Sequence, residues 1–233
     1  MAKVAVITGA GRGIGRALAH SLAGAGFHVV LAARSQAELE AVAAAIQAAG
    51  GTTSVVTGDL GVEEEVRQLI ATAAAVTGHL DVVIANAGQA QVGPFWEQSL
   101  EAWQATLNVS LTGAFLLCKH AVLHLVSGSH LFTIGSIASR TAFPGWAAYS
   151  AAKWGLLGFT NAMREELRER GIKVTAVLPG AVDTALWDAI PGDWNHANML
   201  QPGDVARAVL HAVNEPPHVS IDEIVLSHQV GKL

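Results

Sequence analysis

The sequence predicts an α/β fold, in which a doubly wound parallel sheet of about seven strands carries helices on both faces. Short apolar runs rich in β-branched residues alternate with helical segments along the whole chain, and the links between them are short. Polar and glycine residues follow the apolar runs, at the sheet edge where such folds bind ligands. No linker-like stretch divides the chain, so we expect a single domain over residues 1–233.

In the first half of the chain, the predicted elements begin or end at recognisable residues. The β-branched run that opens the chain leads into a glycine-rich turn, and Gly26 ends the helix that follows. Ser35 is a favourable N-cap for an alanine-rich helix, and glutamates occupy the first turn of the third helix, as the helix dipole favours. Strands are predicted at 3–8, 27–33, 53–57 and 80–85, and helices at 13–25, 36–49 and 62–76.

In the second half, the predicted helices are longer. A variable loop around Pro94 leads into a long apolar helical region, and Pro179 ends the sixth strand. Residues 181–201 look irregular, so we expect a modest lid over a fairly open site. Helices are predicted at 100–126, 147–170 and 204–213, and strands at 131–135, 172–178 and 219–226.

The composition argues against several classes of function. The net charge is −5 and the pI is near 6.0, which gives no indication of a nucleic-acid partner. The most apolar helical stretch, at 114–126, is interrupted by Lys119, His120 and His124, and it is shorter than the roughly 20 apolar residues of a membrane span. Cys118 is the only cysteine, and no signal-peptide pattern precedes the first strand. We therefore expect a cytoplasmic protein with no membrane partner.

The segment at 136–153 contains the most informative residues. Tyr149 is the only tyrosine, and Lys153 lies four residues later, on the same face of the predicted helix. A phenol has an unperturbed pKa of about 10, and a neighbouring ammonium would lower it toward neutral pH. Ser136 follows an apolar run that is typical of a buried strand, so its hydroxyl could lie beside the phenol. Taken alone, such a short pair is more often an ordinary buried tyrosine and a solvated lysine.

A glycine-rich loop, TGAGRGIG at 8–15, joins the first strand to the first helix. Glycines let the backbone turn tightly and approach a pyrophosphate, which the N-terminus of the helix then binds. The position between a predicted strand and a predicted helix favours this interpretation over an ordinary glycine-rich turn.

The end of the second strand predicts which dinucleotide is bound. NAD-binding proteins usually carry an acid there for the ribose hydroxyls, whereas this chain has Ala33 and Arg34, with Arg12 in the glycine loop. Two guanidinium groups suit a 2′-phosphate, so we predict NADP(H) over NAD(H). The alternative is that both arginines face solvent.

Together these motifs resemble the short-chain dehydrogenase/reductase family in its standard-length subclass, which includes 3-oxoacyl-ACP reductase-like and carbonyl reductase-like members. The resemblance covers nearly the whole chain. The matching positions are 8–15, Asp59, 86–88, Asn108, Ser136, Tyr149, Lys153 and 179–180. Thr133 and Gly135 are small departures, at positions where asparagine and serine are common in relatives.

The resemblance implies a Rossmann-type domain that binds NADP(H) and catalyses hydride transfer. Ser136 would hold and polarise the substrate oxygen, Tyr149 would exchange the proton, and Lys153 would bind the nicotinamide ribose and lower the phenol pKa. Asn108 would hold a water that links Lys153 to solvent; otherwise it is a polar helix residue bonded to its own backbone. Asp59 would contact adenine; otherwise it is an N-cap.

The predicted cofactor site takes residues from several strand ends. Its members are Gly9, Arg12, Gly13, Ile14, Gly15, Arg34, Asp59, Leu60, Asn86, Ala87, Gly88, Tyr149, Lys153, Pro179, Gly180, Val182 and Thr184. The ten histidines show no metal-ligand spacing, so we expect no metal site and interpret them as surface or edge residues.

The loops that would form the substrate pocket are less informative. Ala138, Gln91, Trp146 and Trp187 are selected as substrate-binding residues, because large aromatic side chains favour a mostly apolar substrate. Each could equally belong to the core or to a subunit contact. Further candidates for the pocket wall are Gln89, Arg140, Phe143, Leu186 and Trp194.

Members of the family usually form dimers and tetramers, so the resemblance implies a homodimer or homotetramer built by the helices of Asn108 and Tyr149. Alanines at 147, 148, 151 and 152 would permit close approach of such helices.

The predicted function is an NADP(H)-dependent oxidoreductase that interconverts a small-molecule carbonyl and a primary or secondary alcohol, with Tyr149 as general acid and base. One alternative is a 3-oxoacyl thioester reductase of the fatty-acid type. The other is a non-catalytic NADP(H)-sensing regulator. Sensors of this fold tend to lose the tyrosine or the lysine, whereas this chain keeps both.

Overall fold

The computed structural model describes residues 2–231, so the ends of the predicted domain, residues 1 and 232–233, lie outside the described part. The strands are β1 (Lys3–Thr8), β2 (Phe27–Ala33), β3 (Thr52–Thr57), β4 (Leu80–Ala85), β5 (Leu125–Ile134), β6 (Lys173–Pro179) and β7 (Glu223–Leu226). The helices are α1 (Gly13–Gly24), α2 (Gln36–Ala48), α3 (Glu63–Ala74), α4 (Leu100–Leu107), α5 (Gly113–Ala121), α6 (Ala147–Arg168) and α7 (Pro202–Val213).

The predicted fold class is confirmed. In the described part of the chain the strands form one sheet in the order β3-β2-β1-β4-β5-β6-β7, and each neighbouring pair is parallel. The strand order reverses between β1 and β4, which is where a doubly wound sheet opens a crevice at its carboxyl edge.

Helices cover both faces of the sheet, which explains the unbroken apolar runs of the strands. Successive strand residues point to opposite faces. Ile7 of β1 belongs to the buried cluster formed with α1, α2 and α7, whereas Val6 belongs to the cluster formed with α3, α5 and α6. Each fully buried Val, Leu or Ile side chain contributes about 1.5–3 kcal/mol relative to an exposed one, so the sheet is a stable frame for the loops at its edge.

The predicted helix at 100–126 is wrong in its interior and at its end. α4 ends at Leu107, a π-helical turn occupies Asn108–Thr112, and α5 is followed by a short 3-10 turn. Leu125 already belongs to β5, where it pairs with Leu80 of β4. An apolar run of this kind suits a buried helix and a buried strand equally well, so pairing with β4 decided the outcome.

Two further boundaries differ from the prediction. β7 is shorter than 219–226, and α7 begins at Pro202 instead of residue 204. Proline is favoured in the first turn of a helix, and Gln201 N donates to the Asp204 carboxylate at 2.7 Å, which closes the helix start.

His130 contradicts the expectation that the histidines lie at the surface or at sheet edges. It lies in the interior strand β5, is 4% exposed, and stacks on Phe132 with 3.9 Å between ring centroids. Its Nε2 bonds the hydroxyl of Thr175 at 2.7 Å. Burial, assisted by the charge of Lys173, lowers the pKa of His130 to about 3, so the ring is neutral at neutral pH and belongs to the core.

The helical run Leu100–His124 is long and apolar enough to cross a membrane by length and composition alone. That evidence is weak, because a helix that packs in a protein core meets the same criterion. Here α4 contacts α6, and α5 contacts α3. The run therefore forms part of the layer that covers one face of the sheet.

The outer faces of α5 and α6 and the 3-10 turn after α5 leave large apolar side chains exposed, namely Phe115, Leu123 and Trp154. Ala148 and Ala152 are instead buried within the chain itself. The expected subunit contact through four alanines is therefore wrong for these two, because they face the chain's own core.

Candidate active site

A cleft of about 630 Å³ runs along the carboxyl edge of the sheet, beside the ends of β1, β2, β4, β5 and β6. It borders sixteen of the seventeen residues predicted for the cofactor. The exception is Gly15, which is buried in α1 behind the loop. A Cβ on Gly15 would overlap the carbonyl oxygen of Gly9, so this glycine lets the loop close on the helix.

Gly9 marks the tightest turn of the loop. Its φ is +63°, a region that side chains other than hydrogen rarely allow, and a Cβ there would lie 3.0 Å from the Cα of Ala87. The backbone can therefore pass close to the loop that follows β4. This leaves the N-terminus of α1 open to the cleft, as pyrophosphate binding requires.

Thr8 links the two loops, and sequence reasoning missed this role. Its hydroxyl accepts hydrogen bonds from the backbone N–H groups of Asn86 at 3.0 Å and Ala87 at 3.2 Å, and it donates to the Ile84 carbonyl. The side-chain amide of Asn86 in turn donates to the Thr8 carbonyl at 2.8 Å. Asn86 thus borders the cleft mainly as a residue that fixes the shape of the loop.

The end of the cleft beside β2 and α2 combines both signs of charge. Arg12 and Arg34 border it as predicted, but Glu38 of α2 borders it too and was missed. The Glu38 carboxylate lies 2.9 Å from where a Cβ of Gly11 would be. Its position three residues after the N-cap Ser35 is the sequence signal that could have placed it at this edge.

Asp59 is not the N-cap of α3, because that position belongs to Val62. Its carboxylate instead accepts a hydrogen bond from the backbone of Gly61 at 2.8 Å, and its own N–H donates to Glu65 at 2.7 Å. The N-cap alternative is therefore wrong, and Asp59 borders the cleft from a short turn between β3 and α3.

Ser136, Tyr149 and Lys153 meet at the other end of the cleft. Ser136 follows β5, and its oxygen accepts a hydrogen bond from Ala138 N at 3.1 Å. Lys153 Nζ lies 5.5 Å from the centroid of the Tyr149 ring and donates to the Ile134 carbonyl at 2.7 Å. The i and i+4 spacing on α6 thus brings a phenol and an ammonium to the end of an interior strand, beside a hydroxyl.

The pKa of Tyr149 is raised in this structure, which contradicts the expected lowering. Burial disfavours the phenolate, and a hydrogen bond from Ser136 opposes this effect only in part. Burial also lowers the pKa of Lys153 to about 8. Because both groups lie in the same water-poor space, the cost of charging each one outweighs the attraction that the sequence argument considered.

Asn108 does not border the cleft, and its side chain is exposed. Its predicted role in holding a water near Lys153 is therefore not supported by its position. The buried polar side chain of the π-helical turn is Ser110, which exchanges hydrogen bonds with the backbone N–H and C=O of Gln89 at 3.3 and 3.4 Å. A Cβ on Gly88 would lie 3.5 Å from Ser110 Oγ and 3.6 Å from Lys153 Nζ, so both groups border the same small space.

The substrate end of the cleft is lined mainly by apolar and aromatic side chains. Of the candidates, the residues that border it are Gln89, Ala138, Phe143, Trp146, Leu186, Trp187 and Trp194. Gln91 does not border it and is exposed, so its selection as a substrate-binding residue is wrong. Arg140 is also outside the lining and forms an ion pair with Glu223 of β7.

Three tryptophans, Trp146, Trp187 and Trp194, form a continuous series of ring contacts that begins at Tyr149. The ring centroids of Trp146 and Tyr149 are 5.3 Å apart, those of Trp146 and Trp187 are 5.9 Å apart, and those of Trp187 and Trp194 are 4.7 Å apart. Within residues 2–231, no group of three His, Cys, Asp or Glu side chains could hold a metal ion.

Comparisons with known proteins agree with this architecture. The family model described as short chain dehydrogenase matches residues 3–193. An uncharacterized oxidoreductase from Staphylococcus aureus is 37% identical over 228 residues, covering 96% of both chains. Sepiapterin reductase from Chlorobaculum tepidum is 33% identical over 242 residues, covering 100% of this chain and 99% of its own.

Solved structures agree over the same length. An alcohol dehydrogenase from the archaeon Thermococcus sibiricus, complexed with 5-hydroxy-NADP, has a TM-score of 0.93 at 29% identity and covers 100% of this chain and 99% of its own. A short chain dehydrogenase from Burkholderia cenocepacia in complex with NADP has a TM-score of 0.88 at 31% identity, covering 97% of this chain and 96% of its own. With the fold, the glycine-rich loop and the Ser–Tyr–Lys set on one sheet edge, the chain belongs to the short-chain dehydrogenase family of oxidoreductases.

Proposed function

We propose that the protein is an NADP(H)-dependent oxidoreductase that interconverts a carbonyl compound and a primary or secondary alcohol by hydride transfer. The observation that carries this proposal is the meeting of Ser136, Tyr149 and Lys153 at one end of a cleft whose other end holds the glycine-rich loop. Such a cleft can hold an extended dinucleotide with its reactive end beside a proton donor.

The residues of the cleft fit a dinucleotide phosphate. Side chains at Gly9 and Gly15 would fill space that the close backbone approach needs, and the N-terminus of α1 suits a pyrophosphate. Arg12 and Arg34 would bind a 2′-phosphate by charge-assisted hydrogen bonds. Glu38 weakens that attraction, so we expect a moderate preference for NADPH. Equal kcat/KM values for NADPH and NADH, or a preference for NADH, would overturn the assignment.

NADPH, when bound, supplies the hydride that reduces the carbonyl carbon. Tyr149 gives its phenolic proton to the carbonyl oxygen, and Ser136 donates a hydrogen bond to the same oxygen. The raised pKa keeps Tyr149 protonated at neutral pH, which suits a proton donor. Lys153 stabilises the phenolate left after transfer, until a proton from solvent restores the phenol.

Tyr149→Phe tests the proposal, because it keeps the ring and removes the proton. We expect turnover to fall by about two to four orders of magnitude, the usual contribution of general acid catalysis, while NADPH binding persists. The assay follows loss of the reduced nicotinamide absorbance against a panel of ketones, aldehydes and 3-oxoacyl thioesters. Near-normal turnover by the variant would show that Tyr149 is not the proton donor.

The same panel separates the alternatives. A sensor would bind NADPH and reduce none of the compounds, whereas a 3-oxoacyl thioester reductase would favour the thioesters over free ketones. Sepiapterin also belongs in the panel, because sepiapterin reductase from Chlorobaculum tepidum is 33% identical to this chain.

We also propose a cytoplasmic homodimer or homotetramer, each subunit being one dinucleotide-binding and catalytic domain whose partner is a small molecule. The exposed Phe115, Leu123 and Trp154 support self-association, because a partner subunit would remove these large apolar side chains from water. The acidic net charge supports neither a nucleic-acid nor a membrane partner.

A further inference from the structure

The substrate end of the cleft has an aromatic wall, defined here as Trp146, Trp187 and Trp194. Trp146 contacts the ring of Tyr149 edge to face, at 5.3 Å between centroids and 69° between planes. Trp187 and Trp194 continue the wall away from the phenol at spacings of 5.9 and 4.7 Å. The wall therefore begins in direct contact with the proposed proton donor.

Backbone carbonyls of residues 181–201 hold two of the three rings of the wall in place. The indole N–H of Trp187 donates to the Val182 carbonyl at 2.9 Å, and that of Trp194 donates to the Ile190 carbonyl at 3.0 Å. Gly192 has φ +147°, and a Cβ there would lie 2.8 Å from the Trp194 ring, so glycine makes room for this ring. Because backbone carbonyls of the same segment accept both indole N–H groups, these two side chains offer ring surface and no polar donor to a ligand.

The segment that carries two of the three wall residues offers no lysine or arginine to an anionic substrate. Residues 181–201 contain Asp183, Asp188 and Asp193 and no lysine or arginine. Arg140, the one cation among the candidates for the pocket wall, is paired with Glu223 and does not border the cleft. A phosphorylated carrier, such as that of a 3-oxoacyl thioester, would therefore find no cationic partner in residues 181–201 or at Arg140.

We propose that the substrate is an uncharged carbonyl compound with a planar aromatic ring a short distance from the carbonyl, and that this ring packs on the aromatic wall. The inference rests on the proposed oxidoreductase function and names its substrate class. Aromatic pairs at centroid spacings of about 4.5–7 Å gain affinity beyond the area that they bury, and a saturated ring gains no such term. An apolar pocket without this geometry would instead favour the saturated ring, which has more apolar surface.

Two ketones test the proposal, 4-phenyl-2-butanone and 4-cyclohexyl-2-butanone. Two methylene groups separate each ring from the carbonyl, so the reactivity of the carbonyl is the same and only the ring differs. We expect kcat/KM to be about three- to tenfold higher for the phenyl compound, the range of one aromatic contact. A ratio of one or below, or a preference for an acetoacetyl thioester, overturns the inference while leaving the oxidoreductase function in place.

Variants of Trp187 test whether the preference for the phenyl ketone comes from the aromatic wall. Trp187→Leu should remove the phenyl preference, whereas Trp187→Phe should keep most of it. Trp96→Leu is the matched control, because Trp96 is exposed and does not border the cleft, and it should leave the ratio unchanged. A preference that survives in Trp187→Leu overturns the inference. If that variant does not fold, the ratio in the native protein and in Trp187→Phe still decides.

A binding measurement separates this inference from the proposed function. Calorimetric titration of the NADPH complex with 4-phenyl-2-butanol and with 4-cyclohexyl-2-butanol needs no turnover, since alcohol and NADPH are both reduced. Tighter binding of the phenyl alcohol, with no reduction of any carbonyl compound, would support ring packing on the aromatic wall and would overturn the proposed oxidoreductase activity. Equal binding of the two alcohols, with reduction of both ketones, would overturn the inference that an aromatic ring packs on the wall and would leave the oxidoreductase function in place.

Discussion

Lys153 is buried and Tyr149 is half-buried at the same end of the cleft, and the pKa of each is shifted in the direction that favours its neutral form. Burial raises the pKa of Tyr149 and lowers that of Lys153 to about 8. The spacing of four residues predicted the pair correctly. The direction of the phenol shift could not be predicted, because the burial comes from the packing of α6 against strands such as β5, and the sequence of α6 alone does not show that packing.

Replacing Lys153 with methionine should change how stability depends on pH. The folded-state pKa of about 8 lies below the ordinary value, so between the two values the unfolded chain binds more protons at this site than the folded protein. The native protein should therefore gain stability relative to the variant as pH rises from about 8 toward about 10.4, by at most about 1.4 kcal/mol per pH unit.

Urea unfolding of both proteins across that window measures the effect. Tyr149 and Cys118 titrate in both proteins, so their contributions largely cancel in the difference between the two. A difference in unfolding free energy that does not vary with pH would contradict the burial of a cationic Lys153.

Ser110 and Asn108 form a matched pair for testing the inner side of the site. Ser110→Ala removes two hydrogen bonds to Gln89 and should cost about 1–2 kcal/mol of stability. Ser110→Ala should also lower kcat more than it changes KM for the carbonyl compound, since the loop at Gly88 borders Lys153.

Asn108→Ala is the control. It should change stability by less than about 0.5 kcal/mol and leave kcat near normal, as for other exposed residues. A larger loss of kcat in Asn108→Ala than in Ser110→Ala would show that Asn108, and not Ser110, acts at the site.

At the scale of the elements, the π-helical turn decides which of these two residues faces the site. A π turn inserts an extra residue into a helix, so it rotates the side chains that follow it. The sequence predicted one helix through this region, and a continuous α-helix gives no means of separating Asn108 from Ser110. Packing between α4, α6 and the turn resolves the choice.

The glycine-rich loop and α1 allow a second element-scale test. Gly15→Ala places a methyl group against the Gly9 carbonyl, so we expect NADPH binding to be lost or weakened more than about tenfold, with a lower melting temperature. Gly24→Ala lies in the same helix with open space around it and should leave binding unchanged. It should raise stability by about 0.4–1 kcal/mol. Fluorescence titration with NADPH and thermal unfolding measure both effects, and normal binding by Gly15→Ala would contradict the close approach.

At the scale of the whole molecule, α5, α6 and the 3-10 turn after α5 leave Phe115, Leu123 and Trp154 exposed, and none of these three side chains borders the cleft. Single exposed apolar residues are ordinary in proteins, whereas a group of large ones on neighbouring helices indicates a covered surface. The proposed self-association depends on these three side chains, since Ala148 and Ala152 are buried within the chain.

Trp154→Glu should convert the proposed oligomer into a smaller species, because an unpaired charge in an apolar contact is costly to bury. Analytical ultracentrifugation at micromolar concentration measures the change. Val62→Glu, which changes the exposed apolar N-cap of α3, is the control and should leave the assembly intact. A native protein that sediments as a monomer would contradict the proposed assembly.

The sequence by itself determined the sheet, most element positions, the glycine-rich loop and the Ser136, Tyr149 and Lys153 set. These follow from local patterns, namely β-branched apolar runs, glycine at sharp turns and residues four apart on a helix. Tertiary structure alone decided the start of β5, the burial of His130, the place of Ser110 and the position of Glu38 beside the arginines. Each of these depends on strand pairing, burial or charge contacts between segments far apart in the chain, and such contacts leave no pattern in any one segment.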